Sequence, residues 1–207
     1  MAVRTPLFRP RAYVANRTGT VMSGVGVFVS YAVLELVAVF FLLTHVLDQI
    51  TGLTPAQERL LQSSVPSMVV GMVIGIVVAW LVVAAVMHFG SGGERTVGTF
   101  PDALGIAGWA YAPEIVFLVP MTANGWHQLQ SLSFDGSNPE QLPIQMNEAA
   151  VQLTPNPISM VFLFLVTAWS VYILTYGVAE THDVPPKTAA LPAVVVGIGS
   201  IFAALTG

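Results

Sequence analysis

Long apolar runs broken by short polar stretches set the pattern of this chain. A helix rises 1.5 Å per residue, so crossing a hydrocarbon core of about 30 Å takes roughly 20 apolar residues. Five runs meet that length, at about 24–46, 65–89, 103–122, 158–178 and 189–205. The pattern predicts an all-α, polytopic membrane bundle of five transmembrane helices. A short N-terminal segment, 1–22, precedes a membrane domain, 23–207. The first apolar run is too long for the core of a cleaved signal peptide and lacks a small-residue cleavage pattern. It reads as an ordinary first span.

The third run is the irregular one. Pro113 has no N–H for the Trp109 carbonyl and its ring pushes that carbonyl aside, and Pro120 does the same at Val116. A Pro-kinked third span follows. Beside the proline stands Glu114. A charge-capable side chain at bilayer depth is costly and is a candidate functional group by default. Glu35 lies in the first run. Each glutamate is about 11 residues from the same end of its span, or about 17 Å, so both are expected near midplane. Glu35, Glu114, Tyr31 one turn before Glu35, Pro113 and Trp109 together form a candidate intramembrane polar or proton site. Tyr31 is expected to partner Glu35.

Small residues predict where helices approach. Gly71 and Gly75 make a GxxxG in the second run, and Gly105 and Gly108 mark the third. Packing within the bundle is the favoured use of Gly71 and Gly75, with a homodimer or another membrane protein as the alternative.

Composition agrees with a membrane protein: 55% hydrophobic, 9% charged, mean hydropathy +0.75, against about 25% charged in a soluble domain. The lipid bilayer is thus a partner. A net charge of -4 gives no footprint for nucleic acid. Without cysteine, disulfides and thiolate metal sites are excluded. Basic residues set the orientation. Arg4, Arg9, Arg11, Arg17, Arg95 and Lys187 fall on one side, and only Arg59 on the other. This predicts a multi-pass protein of the cell membrane with a cytoplasmic N-terminus and an outside C-terminus. Asn16-Arg17-Thr18 matches a glycosylation acceptor but falls on the inner side. The segment 5–16 mixes aromatics with Arg9 and Arg11, as an interfacial segment does.

The outer loops are then 47–64 and 123–157, the second acidic, with 147–153 a candidate surface helix and Trp126 an interface anchor. His88 and His182 fall on the inner side, but their spacing matches no metal motif. The chain carries no hydrolase, zincin or phosphate-loop signature. No enzyme activity, metal or cofactor is expected.

The order of motifs resembles the Yip family, membrane proteins related to those that interact with Ypt/Rab GTPases, in its prokaryotic or archaeal form. Leu7-Phe8-Arg9-Pro10-Arg11-Ala12-Tyr13 is similar to the basic-aromatic opening segment of that family. Gly92-Gly93 through Thr99-Phe100, then Gly108-Trp109-Ala110-Tyr111-Ala112-Pro113, resembles its glycine turn and third span. Trp169, Tyr176-Gly177 and Thr181-His182-Asp183 leading to Lys187 match its last connection. The resemblance covers about residues 5–205. It implies a five-helix fold with the N-terminus inside and a non-enzymatic, trafficking-like membrane-organising or scaffold role. The acidic Gly-Pro motif of eukaryotic relatives is missing, so small-GTPase binding is doubtful. The second functional expectation is a small permease or lipid-translocating protein using Glu35 and Glu114.

Overall fold

A computed structural model of the chain describes residues 5–15, 19–138, 140–153 and 157–206. Arg4 and the Asn16-Arg17-Thr18 sequon lie outside the described residues. Eight α-helices follow in order among them: α1 Pro10–Val14, α2 Thr20–Asp48, α3 Pro55–Gly90, α4 Phe100–Trp109, α5 Ala112–Leu129, α6 Leu142–Leu153, α7 Pro157–Thr181 and α8 Pro186–Thr206. Five helical stretches are long and apolar enough to cross a membrane: α2, α3, α4 with α5, α7 and α8. The protein is an all-α polytopic bundle.

Two elements run further than the apolar pattern predicts. The second span begins at Pro55, not near residue 65. The reason is a cap: the Thr54 N–H donates to Gln57 Oε1 (2.7 Å) and the Gln57 N–H donates back to Thr54 Oγ1 (3.4 Å), with Pro55 as helix starter. At 36 residues, α3 is about 54 Å long. Its polar first turns therefore stand beyond the hydrocarbon. The third span likewise continues to Leu129, so the second outer loop starts later than residue 123.

That outer region is folded. Ile50–Thr51 (β1) pairs in parallel with Phe134–Asp135 (β2), Ile50 opposite Phe134. Ile50, Phe134 and Ala149 of α6 form a small core with Leu61 of α3 packed on it. The surface helix expected over 147–153 is the second half of α6.

The main core lies towards the other end. Phe28 of α2 stacks on Trp80 of α3 at 4.0 Å between ring centroids, and the Trp80 indole donates to the Leu104 carbonyl of α4 (3.1 Å). Both groups are buried, so the indole hydrogen bond is needed as well as the packing. Glycines bring α2 and α4 into backbone contact. A Cβ added to Gly24 would lie 1.9 Å from the Gly105 carbonyl oxygen, and one on Gly108 would lie 2.2 Å from that of Gly24. Gly105 and Gly108 thus pack inside the bundle. Gly71 and Gly75 do not: an added Cβ on either meets nothing within 4 Å. Their expected intramolecular packing is corrected by this exposure, since the spacing fixes one face of α3 but not what that face meets.

The N-terminal segment is fastened to α7 and is not merely laid on a lipid surface. The Trp169 indole donates to the Leu7 carbonyl (2.7 Å), the Tyr172 hydroxyl to the Phe8 carbonyl (3.2 Å), and Arg11 pairs with Glu180 (2.7 Å). Tyr13 is buried edge-on to Trp109.

Candidate functional site

Glu114 owes its place to the break in the third span. Helix α4 starts on a Thr99–Asp102 cap, in which Thr99 N–H and Oγ1–H both donate to Asp102 Oδ2 (2.9 and 2.6 Å). It stops at Trp109, where two turn residues intervene before α5. Pro113 therefore sits in the first turn of a new helix, where a missing N–H costs little. The span is broken there, a sharper departure than a kink. The Ala110 carbonyl left over at the break accepts from Ser170 Oγ of α7 (2.6 Å). Pro113 is fully buried, and Glu114 follows on the first turn of α5, half-buried. A carboxylate near a helix N-terminus is also favoured by the helix dipole.

Glu114 faces α2 and lines one cavity with Tyr31, whose hydroxyl lies near its carboxyl. Tyr31 thus stands near Glu114 as well as one turn from Glu35, the partner expected for it. Tyr31 is buried and stacked, at 4.8 Å, on Tyr111 from the turn between α4 and α5. Glu35 lies one turn further along α2 and lines the same cavity as Glu114, close enough for the two charges to act on each other. The cavity is half-enclosed, with a volume of about 400 Å³. Its walls come from α2, α5, α7 and α8 and combine the two carboxyls and the Tyr31 hydroxyl with Thr122, Thr167 and Ser200. Among the described residues no Lys, Arg or His lines it.

Trp109 does not reach this cavity. Its indole points to the opposite end and donates to Ser23 Oγ (3.1 Å), which also accepts from the Tyr13 hydroxyl (3.2 Å) and donates to the Thr20 carbonyl (3.0 Å). Of the five residues expected to form the site, Tyr31, Glu35 and Glu114 come together, Pro113 places one of them, and Trp109 anchors the N-terminal segment. Thr167 and Ser200 complete the polar lining and were missed. Their only signal is a single polar position inside an apolar run.

A second polar pair stands at the far end. His88, closing α3, and His182, just past α7, meet at Nδ1···Nε2 3.0 Å, both buried. Thr181 Oγ1 lies 2.9 Å from His182 Nδ1. Burial and the neighbouring His88 hold His182 below its ordinary pKa, partly opposed by Asp102. Among the described residues no third His, Asp or Glu joins the two histidines in a group able to hold a metal.

Five membrane-length helices, four of which wall a polar cavity, define the class: a multi-pass integral membrane protein with an acidic pocket between its spans. The model of the Yip1 domain family matches residues 6–206, from the docked N-terminal segment through the last span, and the chain belongs to that family. No curated protein and no solved structure matches it.

Proposed function

We propose that this Yip1-domain protein is a non-enzymatic membrane-organising scaffold of the cell membrane, with its N-terminus in the cytoplasm. Membership of the family over nearly the whole chain carries this reading. The inner end supports it: Arg9, Arg11, Arg95 and Lys187 gather there, beside a basic-aromatic segment held in place by Trp169 and Tyr172. Its partners are anionic lipid headgroups and other membrane proteins, or a second copy of the chain, and small GTPases are not among those proposed. Affinity purification from native membranes tests the role. A specific membrane-protein partner retained by Glu114→Gln is expected, and recovery of none would overturn it.

The cavity favours a second reading, a small permease or lipid-translocating protein centred on Glu35 and Glu114. A fully packed bundle would leave no room for a ligand, whereas about 400 Å³ lies within the usual range of small-molecule sites. In liposomes, flux of a cation or lipid that falls by about tenfold or more in Glu114→Gln supports it. Wild-type protein that moves no ion, lipid or small solute removes it.

A further inference from the structure

The acidic cavity does not end at its own wall. Ala38, Leu118 and Thr122 line it on one side and, on the other, line an apolar groove of about 450 Å³ along the seam between α2 and α5. That groove runs past Leu34, Val37 and Phe41 of α2 and Val119 and Trp126 of α5, all of them exposed on the lipid-facing surface. A polar compartment and an apolar one thus share a partition in which only Leu118 is large.

We propose that this two-part site binds a hydrophobic monocation, an ammonium carrying an alkyl chain, with its head between Glu35 and Glu114 and its tail in the groove. The proposal rests on the second reading above and names the ligand class for it. Three observations select that class. Among the described residues the cavity is lined by two carboxyls and by no Lys, Arg or His, so a cation supplies the missing charge and a phosphate-bearing headgroup finds no partner. Its volume far exceeds that of a bare metal ion or proton, and many of its walls are apolar, among them Leu42, Leu163 and Val166. Among the described residues Glu35 accepts no side-chain hydrogen bond, so its carboxyl is left to the ligand. The cavity lining extends from Tyr31 to Leu42 along α2, about 17 Å, and the groove extends beside it from Leu34 to Phe41. An alkyl chain can therefore follow the helix while its head stays at the carboxyls.

The test uses the full chain in phosphatidylcholine nanodiscs with three probes sharing one tail: hexyltrimethylammonium, hexanol and hexylphosphocholine. Saturable binding of the ammonium is expected, tighter than that of the other two by about tenfold or more. Glu35→Gln with Glu114→Gln removes that advantage and leaves hexanol binding unchanged. Ala38→Leu, which thickens the partition, weakens hexyltrimethylammonium towards the level of tetramethylammonium. Equal binding of the ammonium and hexanol, or a double variant that binds the ammonium like wild type, overturns the proposal. Flux of sodium or protons lost in Glu114→Gln, with no ammonium binding, overturns the ligand class but leaves the permease reading standing. Absence of both binding and flux removes both.

Discussion

A carboxyl at membrane depth must be answered by another group, because lipid offers no hydrogen bond and leaving a buried acceptor alone costs about 1–3 kcal/mol. For Glu114 the candidate is Tyr31, which lines the same cavity and is held by its stack on Tyr111. Tyr31→Phe keeps the ring and removes the donor. It should lower stability by about 1–3 kcal/mol, read from unfolding in detergent. Glu35→Gln removes no such bond and should shift stability by less than about 0.5 kcal/mol. At the other end, His182 is held below its ordinary value of 6.5 by burial first and by His88 second, with Asp102 opposing. A histidine whose folded pKa is depressed binds fewer protons folded than unfolded, so stability is full above about pH 6.5 and falls as pH drops towards the lowered value. The melting temperature of the wild type should therefore fall between about pH 7.5 and pH 5.5, and fall less in His182→Gln. An equal fall in both would show that other groups set the acid sensitivity. That the two glutamates could reach one cavity was legible in the sequence because both stand a similar distance from the ends of co-directional spans. That Glu114 would also come near Tyr31 was not, since one turn of spacing on α2 cannot weigh a residue arriving from α5.

Among elements, α2 and α4 meet through glycine and α3 presents glycine to open space. The contrast gives a direct test. Gly24→Ala drives a methyl into the Gly105 carbonyl, backbone against backbone with no side chain to move aside. Overpacking of this kind costs about 1–3 kcal/mol or more. Gly71→Ala and Gly75→Ala touch nothing in the chain and replace a poor helix former, so they should be neutral or stabilising by up to about 1 kcal/mol. Thermal unfolding of the three variants separates the two cases. A loss at Gly71 or Gly75 equal to that at Gly24 would mean that α3 packs on something there. The five spans were readable from run length alone, because a bilayer imposes its thickness on the sequence. The start of α3 was not, since its first turns are polar and only the Thr54–Gln57 cap announces them. Nor was Gly24, one glycine at the head of a span, whose meaning depends on Gly105 and Gly108 in another helix.

For the molecule as a whole, chain direction alternates from span to span. The start of α2, the end of α3, the start of α4, the end of α7 and the start of α8 therefore share one end, while β1, β2 and α6 cap the other. The positively charged end is retained in the cytoplasm, because translocating Lys and Arg is disfavoured. Arg9, Arg11, Arg95 and Lys187 belong to the first end and Arg59 to the second, so the proposed orientation predicts the folded β1–β2–α6 cap outside. The absence of native cysteine makes single-cysteine variants a clean probe of this placement. Glu94 in the inner turn and Ser137 beside β2 are both exposed. In intact cells a membrane-impermeant maleimide should label Ser137→Cys and leave Glu94→Cys untouched, with Glu94→Cys reacting only after lysis. The reverse pattern would turn the protein over, move the basic-aromatic segment outside, and with it remove the cytoplasmic face on which the scaffold reading depends.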